Sequence, residues 1–520
     1  MDISIFTASD LEEISAHGMT PDDVLEQIRK FKKGMAFTKI IKPCTIKDGI
    51  RVLDATDIEK YVEVFTDAQN NGRSMKFVPA SGAASRMFKT LLGTYNDLND
   101  ENGLRNISSV GDADEKLSAF IKWLEKYAFY NDLKSKIRDD GEELETCIRN
   151  GHIKTVLEYL LFEKGLNLSN LPKGLIPFHM YDDHSRTPFE EHLIEAFNYV
   201  KDRDGTIKIH FTVSPEHEKK VREFFSRVIS KYETGGIKFS IELSSQKPST
   251  ATIAVDLDNM PFRDENGALF FRPGGHGSLI ENLSGLKGDI IFIKNIDNVT
   301  TDRFKDQTFT YKKALGGFLI SLQKEIFGYL RTLGEGQINE EYIEMLFNFI
   351  RNELCLIPPE DLLNSSLEDK KKFLARVLDR PLRVCGMVKN TGHPGGGPFW
   401  VEQPGKGISI QIVESSQIDM NKAEQKKIFL SSTHFNPVDL VCGVRDYRGK
   451  PFDLRKYVDH DAGFISLKSK NGRELKAMEL PGLWNGAMAY WNSVFIEVPA
   501  GTFNPVKTVF DLVNDGHQSQ

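Results

Sequence analysis

Apolar positions along this chain recur at two different spacings, and the spacing changes several times. Leu117, Phe120, Ile121 and Leu124 fall at i, i+3, i+4 and i+7, the pattern of one buried helical stripe. Val156, Leu157, Leu160 and Leu161 follow it in part, so 93–171 is predicted helical. Leu315, Phe318, Leu319 and Leu322 form a further stripe, and Ile343, Leu346, Phe347 and Ile350 another, within 311–378. Other runs are β-branched and partly alternating: IKIHFTV (207–213), IKFSIEL (237–243), TIAVDL (252–257) and DIIFIKNID (289–297). These predict strands, and 75–79 predicts a short buried one.

Punctuation sharpens the boundaries. Thr20 caps, Pro21 takes the first helical position, Asp22 and Asp23 fill the first turn, and Gly34 stops the helix. A second helix begins near Thr56 and runs towards Gly72, so 1–74 reads as a helical N-terminal region. Thr187, Pro188 and Glu190 spell a capping box, and Ser366 with Asp369 frames another helix start. From Leu382 onwards strands and Gly-rich loops dominate. Helices alternating with near-apolar strands predict an α/β fold: a mixed, mostly parallel sheet covered on both faces. The organisation expected is 1–74 helical, 75–310 an α/β core interrupted at 93–171, 311–378 a helical insertion, and 379–520 the rest of the core. No internal repeat or low-complexity segment interrupts it.

Composition changes this picture little. With 40% hydrophobic and 27% charged residues over 520 positions, the chain has the make-up of a globular protein with a large core. A net charge of −7 excludes nucleic-acid binding through overall positive charge, while leaving room for a local basic pocket. No stretch of about 18 apolar residues predicts a membrane span, and MDISIFTASDLEE lacks the basic and apolar regions of a secretory signal. Cys44, Cys147, Cys355, Cys385 and Cys442 are widely spaced with no C-x-x-C pair, as expected of reduced thiols in a cytoplasmic protein.

Four loops are candidates for chemistry. In MKFVPASGAASRMFKTLL a strand runs into small residues, Ser81, Gly82 and Ala83 among them, and then a basic helix start. Small residues there let backbone N–H groups approach a phosphate, helped by the helix N-terminus, and Arg86 adds a forked cation. A close-packed turn without ligand fits the same residues. The second loop, Pro273-Gly274-Gly275-His276-Gly277, packs three glycines around one histidine, permitting close approach to a flat ligand; a tight turn with a surface histidine is the alternative. Third, Asn295-Ile296-Asp297-Asn298 closes the apolar run 289–293, where ligands of α/β sheets gather and a carboxylate can hold Mg2+ beside a polyphosphate. Asp and Asn simply starting a turn fit as well. Fourth, Lys507 stands in the apolar stretch IEVPAGTFNPVKTVFDLV, either snorkelling to solvent or pointing into a site.

Taken in order, these loops resemble the UDP-sugar pyrophosphorylase family of nucleotidyltransferases, and a bacterial domain of unknown function allied with it. Gly82–Met87 matches that family's small-residue loop, Pro172-Lys173 its Pro-Lys element, and Gln246-Lys247-Pro248 its Gln before Pro. Residues 273–277 match the base-binding loop, 295–298 the Asn-x-Asp-Asn strand end, and 503–507 the Phe-x-Pro-Val-Lys element, followed by Asp511-Leu512. Gln411-Ile412-Val413-Glu414-Ser415 is similar to the family's Val-Val-Glu-Tyr-Ser strand, and Asn436 to an Asn that contacts the sugar. The resemblance covers 75–92, 172–310 and 380–515.

The resemblance implies a GT-A-like, Rossmann-like core and transfer of a uridylyl group from UTP to a sugar 1-phosphate, releasing pyrophosphate. It implies Arg86, Lys173 and Lys507 as catalytic cations, and Asp297 as the ligand of an Mg2+ cofactor. Ser81, Gly82, Ala83, Gln246, Gly274, Gly275, His276 and Asn295 would bind the nucleotide, and Glu414 and Asn436 the sugar. The partners implied are a nucleoside triphosphate and a sugar 1-phosphate. Two departures stand out. Ala84 replaces the usual second glycine, and about 80 residues separate the first loop from Lys173, which makes Lys89 a rival for its role. Two other readings stay open. One is a glycosyltransferase using Asp256-Leu257-Asp258; the other is a catalytically silent nucleotide-sugar-binding protein. His179 and His184 in HMYDDH offer a conceivable metal pair, at a spacing that suits neither a helix nor a strand face. Ser431-Ser432-Thr433-His434 shows no Asp partner for a hydrolase.

Overall fold

A computed structural model describes residues 3–82, 84–98, 112–336, 338–390, 392, 395–403 and 405–519, with backbone only at 112–114. It divides into two compact units, one of Met1–Phe77, Ser244–Ile293 and Lys312–Val498, the other of Val78–Leu243, Lys294–Tyr311 and Pro499–Gln520.

In the first unit the large sheet orders its strands as Thr45–Ile46, Gly49–Arg51, Asn492–Glu497, Leu382–Lys389, Asp439–Gly443, Ile290–Lys294 and Ser74–Pro79. Leu382–Lys389 runs parallel to Asn492–Glu497 and antiparallel to Asp439–Gly443, and Ile290–Lys294 is parallel to Ser74–Pro79. Leu382–Lys389, Asp439–Gly443, Ile290–Lys294 and Ser74–Pro79 are buried along nearly their whole length and are largely apolar, as strands covered on both faces are. One face takes Phe65 of the helix Ala55–Asn70, edge-on to Phe292 at 5.4 Å. That helix also touches Lys305–Glu335: a Cβ added at Gly317 would lie 1.8 Å from the Tyr61 carbonyl oxygen, so only glycine fits. Against the other face pack Leu279, Ile280 and Leu283, with Phe77, Ile291 and Ile293 beneath them. The fold is thus α/β, a large mostly parallel sheet flanked by helices.

The helix starts form where the caps stand. Thr20 and Thr187 each close a capping box, with Asp23 and Glu190 respectively, and Pro follows both. Ser366 accepts from the Asp369 N–H. The helical reading of 1–74 needs correction at 40–51, where Ile40–Pro43, Thr45–Ile46 and Gly49–Arg51 are strands. Their β-branched residues are cut into two- to four-residue pieces by Pro43 and Gly49, too short to show a period. Likewise Leu356–Ile357 inside the 311–378 block pairs with Ile408 and Ser409. TIAVDL shrinks to Thr252–Ile253, because Asp256 turns the chain through its carboxylate, which accepts from the Asp258 and Met260 N–H groups.

In the second unit the strands Thr206–Thr212 and Lys238–Ser244 are hydrogen-bonded neighbours. Residues 99–111 of the predicted helical segment 93–171 lie outside the described residues; the rest of it holds the helices Asp112–Lys122, Tyr130–Asp139, Leu144–Arg149 and Ile153–Leu161. Its apolar stripe, including Leu117, Phe120, Leu124 and Leu157, is buried in one core with Ala84, Met87 and Phe88 from one loop and Val506, Val509 and Leu512 from another.

Candidate functional site

In the second unit the chain closes on itself around Asp297. Strand Ser74–Pro79 ends and Ala80 donates its N–H to the Thr212 carbonyl at 2.8 Å. The helical segment then leaves and returns beside the point of departure: the Ala84 N–H donates to Leu171 O at 3.1 Å, and the Lys173 N–H to Gly82 O at 3.2 Å. Sequence separation between the first loop and Lys173 is therefore no separation in space. Lys173 Nζ lies 2.9 Å from Asp297 Oδ2 and 2.9 Å from the Val506 carbonyl oxygen. Lys507 Nζ reaches the same Asp297 oxygen at 3.1 Å. It is Lys173, rather than Lys89, that stands on Asp297.

Backbone geometry fixes the three side chains. Ile296 N–H donates to Pro79 O at 3.2 Å and Val506 N–H to Asp297 O at 3.0 Å, so the turn bearing Asp297 is tied on both sides. The Asn298 side chain accepts from the Asn504 N–H at 2.9 Å, and Asp511 accepts from the Lys507 and Thr508 N–H groups at 2.8 and 2.7 Å. Asn295 O accepts from Asn298 N–H, closing the turn.

Asp297 is buried, Lys173 nearly so, and the Lys507 side chain is 57% exposed. Burial opposes ionisation of Asp297, but the ammonium groups of Lys173 and Lys507 outweigh it and hold the carboxyl below its ordinary range. Its second oxygen, Oδ1, is buried without a hydrogen-bond partner among the described residues. Two cations on one carboxylate leave local positive charge, one member of which faces solvent; such a place suits a polyanion.

The rest of the first loop is less engaged. Ser81 and Gly82 follow the strand, and a Cβ added at Gly82 would meet nothing within 4 Å; Ala83 lies outside the described residues. Arg86 ends a 3-10 turn, Ala84–Arg86, and the helix starts only at Lys89. The expectation of a helix N-terminus at the small residues is thereby corrected: burial of Met87 and Phe88 sets an intervening turn. Arg86 is exposed and has no ion pair or hydrogen bond among the described residues.

In the first unit two further groups assemble. Gln246 donates to the Gly275 carbonyl at 3.4 Å. Gly275 has φ 76°, and a Cβ at Gly274 would come 2.4 Å from Thr250 O, so both glycines are required. His276 is no free surface histidine: it stacks on Trp484 with centroids 4.2 Å apart and accepts the Leu483 N–H on Nδ1 at 3.0 Å. Burial lowers its pKa against the opposing charges of Glu414 and Glu479, so the neutral ring carries its hydrogen on Nε2.

The second group surrounds Gly396. Asn436 donates its N–H to Gly396 O at 2.8 Å, and a Cβ added at Gly396 would lie 3.3 Å from the Glu414 side chain. The Asn436 side-chain Oδ1 accepts from Val438 N–H at 3.1 Å. Val438 itself has φ 58°, a costly conformation for a β-branched residue.

The rival motifs are satisfied locally. Asp256 and Asp258 form the turn already described. His179 bonds to Glu191 and His517, while His184 pairs with Asp183. No cluster of three His, Cys, Asp or Glu side chains able to hold a metal occurs among the described residues. His434 does have a carboxylate partner, Glu497, at 3.2 Å, which the sequence did not reveal. Also missed was the role of the Val506 carbonyl oxygen, which is a backbone contact and leaves no local signal. Trp491 is core, and the five cysteines are free. No helix among the described residues is long and apolar enough to cross a membrane.

A family model described as "Domain of unknown function (DUF4301)" matches residues 7–518. None of the curated proteins compared matches. Among solved structures the chain is similar to a uridine diphosphate N-acetylglucosamine pyrophosphorylase from Trypanosoma brucei in complex with inhibitor, at 12% identity and a TM-score of 0.49, covering 98% of this chain and 82% of that one. It is similar to the UDP-glucose pyrophosphorylase from Leishmania major at 12% identity and a TM-score of 0.45, covering 98% and 78%. A putative UDP-N-acetylglucosamine pyrophosphorylase from Entamoeba histolytica gives 10% identity and a TM-score of 0.42, covering 90% and 85%. At TM-scores below 0.5 these likenesses carry no argument for what the chain does.

Proposed function

We propose, for a chain that belongs to the DUF4301 family, that it is a cytoplasmic nucleotidyltransferase joining UTP and a sugar 1-phosphate into a UDP-sugar and pyrophosphate. The observation that carries this reading is the pair of ammonium groups, Lys173 and Lys507, on the single buried carboxylate of Asp297, beside the exposed backbone of Gly82. The ordered motifs of the sequence supply the substrate class.

In such a reaction a phosphate oxygen of the sugar 1-phosphate attacks the α-phosphorus of UTP. The bond from that phosphorus to the bridging oxygen breaks, and its electron pair leaves with pyrophosphate. Positioning and charge neutralisation suffice, with no protein nucleophile. Lys507, the exposed cation, meets the phosphates first and neutralises the α-phosphate or the sugar phosphate. Lys173, anchored by Val506 O, holds the departing pyrophosphate, a role the resemblance assigns to the exposed Arg86 of the first loop as well. The resemblance assigns the base to Gln246, Gly274, Gly275 and His276, and the sugar hydroxyls to Glu414 and Asn436.

The residues present fit Mg2+ only as a companion of the triphosphate. Among the described residues Asp297 offers one unpartnered oxygen and no cluster of acidic ligands stands with it; magnesium is commonly held by one or two carboxylates plus substrate phosphates. When bound, the ion neutralises phosphate charge.

The test is direct. The full chain, given UTP, Mg2+ and a panel of sugar 1-phosphates, is expected to release pyrophosphate with at least one of them, and Asp297→Ala to lose metal-dependent release while keeping its fold. Absence of release with every sugar, together with no UTP binding at millimolar concentration, would overturn the reading.

A further inference from the structure

We propose that the segment 514–519 is a latch that positions the Lys173–Asp297–Lys507 site, with His517 as the positioning residue that anchors it on His179. Its effect on turnover rests on the reaction proposed above; its structural part does not.

Two strands of contact join this segment to the two stretches that carry the site. The first goes to the residues after Asp297. Gly516 O accepts from Thr300 Oγ1 at 2.6 Å and from Thr301 N–H at 3.1 Å, and Gln518 O accepts from Thr301 Oγ1 at 3.3 Å. The second goes to the residues before Lys507. A Cβ added at Gly516 would lie 2.3 Å from Asn504 Oδ1, so the Gly516 backbone is packed closely against the Asn504 side chain. Asn504 is in turn held by Asn298. One short segment therefore grips both halves of the Asp297–Lys507 pair.

The latch is anchored in a buried polar network. His517 Nδ1 lies 2.9 Å from His179 Nε2, and His179 Nδ1 lies 2.8 Å from Glu191 Oε1. A carboxylate only accepts, so His179 carries a hydrogen on Nδ1. Glu191 also accepts from Tyr181 OH at 3.0 Å and pairs with Lys305. Both histidines and Glu191 are at most 2% exposed. Burial and the adjacent His179 hold His517 down to about 3, so its ring stays neutral. A fully bonded buried network specifies one arrangement, and removing one member leaves its partners unsatisfied.

Nothing in the proposed chemistry needs these histidines, and none touches a substrate-facing atom. Their placement is explained by what they hold.

Hydrogen–deuterium exchange on the full chain tests this. In His517→Ala the amides of Asn504 and Val506 are expected to exchange at least tenfold faster, with the Thr206–Thr212 strand unchanged. Wild-type rates at those two amides would overturn the latch. If His517→Ala unfolds, raising exchange along Thr206–Thr212 as well, Thr300→Val decides the question by the same two amides, since it removes only the hydroxyl that grips Gly516. In the pyrophosphate assay kcat is expected to fall at least tenfold in His517→Ala and to recover in His517→Asn, which restores a polar group near the Nδ1 position. Equal rates in all three would contradict the positioning role. A wild type that releases no pyrophosphate would refute the reaction and leave the exchange result to decide the latch.

Discussion

At Asp297 two lysines share one carboxylate oxygen, and they are not equivalent. Lys173 is nearly buried and is also bonded to a backbone carbonyl, whereas Lys507 is more than half exposed. Removing Lys173 leaves a buried charge with only a solvent-facing partner. Lys173→Ala is expected to lower stability by about 1–3 kcal/mol in denaturant unfolding, less than the full loss of a buried pair because Lys507 remains. It is expected to slow pyrophosphate release by about 10²–10³-fold, the usual cost of one charge-stabilising contact. Unchanged stability and rate would remove Lys173 from the account. His517 gives a second prediction of known sign. Its pKa falls from the ordinary 6.5 to about 3 in the fold, through burial and His179 and against Glu191, Asn504 and Asp297. The unfolded chain thus takes up a proton below pH 6.5 that the folded chain refuses. Stability is full above about pH 6.5 and falls on acidification by up to about 1.4 kcal/mol per pH unit. Denaturation of the full chain at pH 7 and pH 5 is expected to show a shallower loss in His517→Asn than in wild type.

At the scale of elements, side chains at their ends decide most of what the sequence disclosed. The caps at Thr20 and Thr187 were legible because Thr, Pro and an acidic third residue sit at fixed offsets, and both helices start there. The cap at Thr7 shows what spacing alone does not carry. Its helix, Ala8–Ala16, is closed by Asp10, which also takes a two-pronged bond from Arg263 at 2.7 and 2.8 Å. Arg263 holds the Asp10 carboxyl down at about 2, outweighing burial, with Thr7 helping. A depressed carboxylate stabilises above its unfolded pKa. Asp10→Asn is therefore expected to cost about 1–2 kcal/mol at pH 7, discounted for the partly exposed guanidinium, and the gap to wild type is expected to close as pH falls from about 4 towards 2. A constant gap would contradict the pairing. The short strands at 40–51 escaped detection because two to four residues cannot display a period of two. The glycines of 274–275 were legible as a tight loop; the packing of His276 on Trp484 was not, since some 200 residues separate them.

At the scale of the whole chain, the order of the loops was readable and their convergence was not. Gly82 and Lys173 stand about 90 positions apart, yet their backbones are hydrogen-bonded. Periodicity announced helices in 93–171, but nothing local says that such a segment returns to its starting point. The structure supplies the reason for the long excursion: its core is shared with Val506, Val509 and Leu512, so the helices support the loop that carries Lys507. Leu157→Ala, in the middle of that core, is expected to cost about 2–5 kcal/mol and to weaken UTP binding although Leu157 is no part of the polar site; destabilisation with undiminished binding would show that the insertion does not support the site. The central claim is that Lys173 and Lys507 exchange the Asp297 carboxylate for phosphate oxygens when the nucleotide arrives. Crystals of the full chain soaked with UTP and Mg2+ test it most directly. The account predicts triphosphate oxygens at roughly 2.7–3.2 Å from both ammonium groups; a triphosphate bound elsewhere, with both lysines still on Asp297, would contradict it.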